Sequence, residues 1–297
     1  MLGFVVISKQ KQQKQKTVCK TDTNKYRQDE KQHETKRKRG VVMLAIERRN
    51  AILEKLQKEK RVVVSELSQL YQVTEETIRR DLEKLENEGL AIKSYGGAVL
   101  NEENVFGLPF NIRKNQCVVE KKKIAGLIAE MVRDQETIML DVSSTAVYIA
   151  NGLREKKNLT VITNSVEIVV DLFDMPEWTV ISTGGVAREK SFALVGPHTD
   201  QMLSSYHVDK AIISCKGLHL DAGITDYDEQ DASSKRMMLK AAKERILVAD
   251  HTKFDEIAFV KVTEWPAITK IVTDRKPPGK WLDEFERQKI ECIYPAE

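Results

Sequence analysis

Two sets of residues have types and spacings that could do chemistry at a surface. In the first, Glu76, Thr77, Arg79, Arg80 and Lys84 share a segment with Ile78, Leu82 and Leu85, which recur at i, i+4 and i+7. At 100° per residue the apolar stripe spans about 60°, and Arg80 points almost directly away from it. Glu76, Thr77 and Lys84 flank Arg80, with Arg79 near the rim. An arginine there can reach a guanine edge or a phosphate, and a threonine can meet a base edge. The same face also reads as plain solvated surface, with Glu76 and Arg80 an i,i+4 pair contributing ~0.2–0.5 kcal/mol. In the second set, strand-like runs end in small polar residues. These ends are Asp141-Val142-Ser143-Ser144-Thr145, Thr163-Asn164-Ser165, Thr183-Gly184-Gly185, Cys215-Lys216-Gly217 and Asp250-His251-Thr252-Lys253. Hydroxyls and free N–H groups at a helix start make an anion site, and glycines admit a ligand closely. Helix capping and tight turns explain each end separately just as well. Several such ends on one sheet edge are where a small-molecule pocket is expected.

The first set needs a frame to hold it. Ile46, Leu53 and Leu56, flanked by Ile52, give a first helix one apolar stripe. Ser65 reads as the N-cap of a second helix, whose buried face is Leu67, Leu70 and Tyr71. A short Gln72-Val73 loop leads to Thr74, the expected N-cap of the third helix, and Gly89 suits its C′ position. Two helices joined so tightly read as helix-turn-helix. Residues 90–100, LAIKSYGGAVL, place two apolar runs around Gly96-Gly97, a hairpin signal. Lys93 and Tyr95 alternate onto one face of its first strand, and Lys93 can meet phosphate beside a groove. The candidate DNA-contacting set is therefore Ser65, Thr74, Glu76, Thr77, Arg79, Arg80, Lys84, Lys93 and Tyr95.

The second set implies a different frame. After a polar stretch at 101–118, helical and strand-like runs alternate. Helices are expected at 124–132, 146–153, 166–173, 229–243 and 281–288. Strands are expected at 137–142, 159–164, 178–183, 210–215, 245–250 and 270–274. This alternation predicts an α/β domain with a mainly parallel sheet.

Charge sharpens the division. The chain has 297 residues and a formal net charge of +3. Residues 1–42 hold 12 Lys+Arg against 4 Asp+Glu, and the remainder holds 36 against 41. The body is mildly acidic, so any nucleic-acid contact must come from a local cluster. Residues 1–42 are Gln- and Lys-rich without a periodic apolar face, which is a disorder signature. Arg39-Gly40-Val41-Val42 before Met43 reads like a translated purine-rich ribosome-binding sequence, so the expected start is Met43. Hydrophobic residues make up 41% of the chain, enough for a sizeable core. No run approaches the ~18 apolar residues of a membrane span. The four cysteines are widely spaced with no CxxC pair, so no metal site or disulfide framework is expected, and a reducing cytoplasm fits.

Residues 48–82 resemble the N-terminal signature of the DeoR family of bacterial transcription regulators. The match rests on Arg48, Ile52 and Leu56, then Thr74-Glu75-Glu76-Thr77-Ile78-Arg79-Arg80-Asp81-Leu82. It continues into the wing, where Tyr95-Gly96-Gly97-Ala98 replaces the common His-Gly-Gly-Ala and Lys93 stands for an arginine. The resemblance covers nearly all of 43–297. It implies a DNA-binding regulator, usually a repressor, of sugar or polyol metabolism, with a sensor domain similar in fold to ribose-5-phosphate isomerase and coenzyme A transferases. It further implies a phosphorylated sugar or polyol effector. Asp141, Ser143, Ser144 and Thr145 match the phosphate-binding turn, with Ser143 where glycine is frequent. Asn164, Gly184-Gly185, Glu229, Lys235-Arg236, Asp250 and Lys253 match further family motifs. Lys216 or Lys235 is the expected cation facing the phosphate.

The expected organisation is a basic segment (1–42), a winged helix-turn-helix (43–100), a linker (101–118) and an α/β sensor (119–297). The expected partners are operator DNA, the effector and at least one further copy of the chain, with no membrane and no cofactor. The competing reading is an isomerase-like sugar-phosphate enzyme with an accessory DNA-binding domain. Those isomerases use paired acids beside a Lys-Gly-Gly-rich loop. Here Lys216 is followed by one glycine and then Leu218, so the acid/base set is incomplete and no catalysis is expected.

Overall fold

The computed structural model describes residues 44–101, 110–188 and 191–296. The expectations for residues 1–42 and for 102–109 lie outside the described residues. The chain divides into two compact units between Asn101 and Glu102.

The first unit runs α1 (Ala45–Glu59), β1 (Arg61–Val63), α2 (Val64–Tyr71), α3 (Glu75–Asn87), β2 (Ala91–Ser94) and β3 (Gly97–Leu100). Ile52, Leu53 and Leu56 of α1 pack with Leu67 of α2 and with Ile78, Leu82 and Leu85 of α3 as a fully buried set. The predicted three helices and hairpin are present, with an unpredicted strand. β1 adds to the hairpin in the order β1-β3-β2, antiparallel throughout. That strand moves the start of α2. The helix begins at Val64, whose N–H donates to the Gly96 carbonyl at 2.8 Å, and the N-cap is Val63 without a side-chain cap. Ser65 is thus an exposed first-turn residue, not the expected cap. With Val64 buried, the helix face is Val64 and Leu67, and Leu70 is turned out, 60% exposed.

The second unit opens with α4 (Phe110–Asn115) and α5 (Val118–Met131). Residues 110–118 are therefore not the polar linker expected. Phe110 is fully buried, and its ring packs edge-on against Phe192, so the single aromatic outweighs the surrounding asparagines. Alternating elements follow: β4 (Thr137–Leu140), α6 (Ser144–Gly152), β5 (Thr160–Thr163), α7 (Val166–Asp171) and β6 (Thr179–Ser182). Then come β7 (Val186–Arg188), β8 (Ala193–Val195), α8 (Pro197–Ser204), β9 (Val208–Ser214), β10 (Gly217–His219) and β11 (Gly223–Asp226). The chain ends with α9 (Glu229–Ala241), β12 (Ala242–Val248), β13 (Val260–Thr263), β14 (Lys270–Val272), α10 (Gly279–Arg287) and β15 (Glu291–Ile293).

Seven strands form one sheet in the order β15-β14-β12-β9-β4-β5-β6, and every pairing is parallel. Consecutive residues alternate between two apolar cores. Ile212, Ile246 and Val248 pack on the side of α5, α6 and α7, and Ile213 and Leu247 on the side of α9 and α10. Burial on both faces is why these strands read as continuous apolar runs. Because all seven strands point one way, their carboxyl ends share an edge. A small antiparallel sheet, β10-β11-β13, and the β7-β8 hairpin were not predicted. Among the described residues, no helix is long and apolar enough to cross a membrane.

Candidate functional sites: a nucleic-acid interface and a polar sheet edge

In the first unit, Thr74 caps α3 as predicted, its hydroxyl accepting from the Thr77 N–H at 3.3 Å. The outward face is also as predicted. Arg80 is 75% exposed and Glu76 63%, and they pair at 3.3 Å. Arg79 pairs with Glu75 at 2.6 Å, and Lys84 is exposed. Exposed i,i+4 pairs of this kind contribute only ~0.2–0.5 kcal/mol, so a stronger anion displaces the carboxylates readily. α3 itself is anchored from behind. Asp81, buried among its leucines, accepts from Arg48 Nε of α1 at 2.5 Å, with Arg49 Nη1 3.7 Å away. Periodicity gives no sign of this pair, because Arg48 and Asp81 stand 33 residues apart.

The wing differs from expectation in detail. The turn lies on Tyr95 and Gly96, not on Gly96-Gly97, and Tyr95 is fully exposed at its tip, off the strand. Gly96 takes a φ of 80°, which favours glycine. Gly97 is required by closeness: a Cβ there would stand 2.0 Å from the Val62 carbonyl of β1. Lys93 is not free on the strand face. Its Nζ pairs with Glu86 at 3.2 Å, and its N–H donates to Glu86 at 3.0 Å. Both bonds hold the Glu86 carboxyl below its usual range.

In the second unit, the carboxyl ends of β4, β5, β6, β9 and β12 bring the predicted residues to one edge. The structure separates those that hold the edge together from those with donors to spare. Asp141 is fully engaged: Oδ1 accepts from Ser143 N–H at 3.0 Å and Oδ2 from Ser214 N–H at 2.8 Å. It binds β4 to β9 rather than facing a ligand. Ser143 is the N-cap of α6, accepting from Ala146 N–H at 3.0 Å. Lys235 is spent as well. Its buried Nζ donates to the Ser214 carbonyl at 2.7 Å and to Asp226, with Asp141 at 3.4 Å. Burial opposes its charge, but Asp226 and Asp141 outweigh burial and hold the lysine above its ordinary range. Burial raises Asp226, and Lys235 and Lys216 outweigh that and hold it below the usual carboxylate range. Lys235 thus acts as a strut, its Nζ engaged by the Ser214 carbonyl and Asp226. Gly185, at a φ of 134°, is likewise filled from outside: a Cβ would meet Thr199 Oγ1 at 2.1 Å. Glu229 is exposed in the first turn of α9, where Asp228 does the capping. Asp250 is buried and caps the turn at 251–253, accepting from Thr252 N–H at 3.0 Å, and Lys253 donates to Thr252 at 3.1 Å.

The residues with capacity left are few. Ser144 and Thr145 are buried at the start of α6, and among the described residues their hydroxyls have no hydrogen-bond partner. The Asn164 Nδ2 donates to the Leu194 carbonyl at 3.0 Å, leaving a buried Oδ1 unpartnered, and the buried Thr183 hydroxyl is unpartnered too. Gly184 has open space where a side chain would stand. Lys216 is half-buried at the end of β9, and desolvation together with the Arg113 guanidinium pushes it down to about 7. Arg113 itself is a residue the sequence reading missed. It lies on α4, in the supposed linker, over the Phe110 ring at 5.6 Å, and it feels Asp226, Asp231 and Asp141. Lys121, lowered to about 8 by burial, donates to the Gln116 carbonyl at 2.6 Å. Glu120, His251 and Asp274 place their donor atoms within 4.8 Å of one another. Arg275 already fills that position, 3.2 Å from Asp274 and 2.8 Å from His251 Nδ1, and a metal ion would have to displace it.

Comparison with known proteins follows the same division. Residues 48–104 match the family model of a DeoR-like helix-turn-helix domain, and residues 116–275 match that of a DeoR C-terminal sensor domain. The HTH-type transcriptional regulator YulB of Bacillus subtilis is 40% identical over 84% of this chain and 96% of its own length. The glycerol-3-phosphate regulon repressor of Escherichia coli is 28% identical, covering 80% and 93%. Among solved structures, ribose-5-phosphate isomerase A of Methanocaldococcus jannaschii aligns over 45% of this chain and 53% of that one. It does so at 17% identity and a TM-score of 0.33, too partial a likeness to bear on function. With both domain models laid over the two units and a near full-length relative at 40% identity, the chain belongs to the DeoR family of DNA-binding transcriptional regulators.

Proposed function

We propose that this regulator represses a sugar or polyol operon from the cytoplasm and releases its operator when a phosphorylated sugar or polyol binds the sheet edge. The observation that carries the reading is the group of unfilled polar atoms at that edge. The Ser144 and Thr145 hydroxyls stand at the start of α6, where N–H groups lack intrahelical partners and carry partial positive charge. A phosphate satisfies those donors together, Arg113 supplies full charge, and Lys216 gains its charge as the anion binds. The orphaned Asn164 Oδ1 and Thr183 hydroxyl are left for sugar hydroxyls. Lys235, Asp141 and Ser143 hold the edge in place. At the other unit, Glu76, Thr77, Arg79 and Arg80 meet base edges and phosphates in the major groove. Lys84, Ser65, Thr74, Lys93 and Tyr95 supply backbone contacts around them. Two such units on a two-fold operator imply at least a dimer. A monomer by light scattering at micromolar concentration, with and without DNA, contradicts that part.

The test is footprinting on DNA upstream of the protein's own or a neighbouring operon, with and without a panel of sugar phosphates. The active compound should change operator affinity by roughly 5–150-fold. Ser144→Glu with Thr145→Glu places carboxylates where the phosphate belongs. This variant should footprint normally and ignore the compound. A full response in the variant refutes the site.

A further inference from the structure

At the edge where the parallel strands begin, away from the polar strand ends, a cavity of about 380 Å³ opens between α9 and the turn at 265–267. Arg236, Leu239 and Lys240 line it from one side of α9, as their i, i+3, i+4 spacing dictates. Arg245 of β12, Thr263, Pro266 and Ala267 complete the wall. Both arginines are held in place through backbone carbonyls. Arg236 Nη1 donates to Lys261 O at 2.9 Å and Arg245 Nε to Ala267 O at 2.6 Å. A guanidinium has five N–H donors, so each keeps capacity beyond that anchor. Among the described residues none of the three cations has an acidic partner. The acids nearest in sequence are engaged elsewhere, Glu244 with Lys270 at 3.3 Å and Glu264 with Lys261. Arg236 and Lys240, four apart on a helix, repel each other. Three uncompensated cations converging on one concavity, in a body that is acidic as a whole, call for an anion.

We propose that this cavity binds a small organic polyanion, bearing two or more phosphate or carboxylate charges, as a second ligand site of the regulator. The guanidinium forks suit such groups bidentately, and Leu239, Pro266 and Ala267 offer an apolar bed for the carbon body. The volume lies within the ~300–1,000 Å³ of small-molecule pockets. The site is separate from the one at the strand ends and stands whether or not that one binds an effector.

The experiment is calorimetric titration of the full chain with inorganic pyrophosphate at low salt, in the parent and in Ser144→Glu/Thr145→Glu, which blocks the other edge. Both should bind. Lys240→Glu, an exposed residue with no partner to lose, should weaken binding tenfold or more in both backgrounds. Arg236→Gln should weaken it in the same direction. Lys243→Glu makes the same charge change three residues on, where Lys243 pairs with Asp209 outside the cavity, and should move affinity less than twofold. If Lys240→Glu and Lys243→Glu weaken binding equally, the effect is only the general field and the site is refuted. Affinity unmoved by Lys240→Glu, or no binding to the parent, refutes it as well, the former placing the anion elsewhere, such as the basic residues 1–42.

Discussion

The two working surfaces of this protein handle charge in opposite ways. On α3 the charged side chains are exposed and paired with neighbours one helical turn away, so the pairs are weak and exchangeable. At the sheet edge the charges are buried and paired across the chain, Lys235 with Asp226 and Asp141, so they are strong and fixed. Cations kept in water can exchange their partners for other anions, as the proposed DNA contact requires. Buried pairs hold several strand ends in register, as the proposed ligand site requires. The contrast also separates roles inside each surface: Asp81 and Arg48 are the fixed pair behind the exchangeable face, and Ser144 and Thr145 are the unfilled groups beside the fixed network.

The contrast can be broken at its strongest point first. Lys235→Met removes the cation that bonds Asp226 and stands 3.4 Å from Asp141, so two buried carboxylates lose their ion-pair partner. Chemical denaturation should show a loss of ~3–5 kcal/mol in the sensor domain. A loss below ~1 kcal/mol would place Lys235 in an open site rather than a strut. Arg80→Ala should do the reverse. Stability should stay within ~0.5 kcal/mol, while operator binding falls by ~1–3 kcal/mol with relaxed discrimination at one base position. Equal binding of operator and random DNA to parent and variant would reduce Arg80 to a partner of Glu76.

Lys216 lies between the two extremes. Its folded pKa is pushed down to about 7, below the unfolded value, so near neutral pH the amine is only partly charged. An anionic effector favours the charged form and should take up a proton on binding. Effector affinity should therefore fall as pH rises through about 7 to 9, and Lys216→Gln should flatten that dependence. A slope unchanged in Lys216→Gln assigns the titration to another group. The smallest effect belongs to Lys93. Lys93→Ala should weaken operator and random DNA alike and reduce the salt slope by about one unit. Because Glu86 already holds this lysine, an unchanged slope would mean that the wing contacts no phosphate in the complex.

The winged helix was legible in the sequence because its determinants are local. The i, i+4, i+7 stripe, the Thr74 cap and the outward Arg80 need only helical geometry. What escaped there was non-local: β1, whose three residues gain structure only by pairing with Val99, Ala98 and Gly97, and the Arg48–Asp81 pair. Alternation likewise announced the parallel sheet, because strands buried on both faces must be apolar throughout. Short antiparallel strands such as Gly217–His219 and Gly223–Asp226 carry no such mark, since too few residues show a period.

The sequence by itself determined the helices of the first unit, the alternating elements of the parallel sheet, which side of α3 is polar and which residue types collect at the strand ends, because periodicity and chain direction fix these. It could not say which polar residues at that edge are spent and which remain open. Ser143 and Ser144 are adjacent and chemically identical, yet one caps a helix and the other keeps its hydroxyl unfilled among the described residues. Lys235 and Lys216 are both lysines near Asp226, yet the first is locked in an ion-pair network and the second is pushed toward neutrality. Only the tertiary structure decided between them, because hydrogen-bond satisfaction and desolvation depend on what the fold packs against each atom.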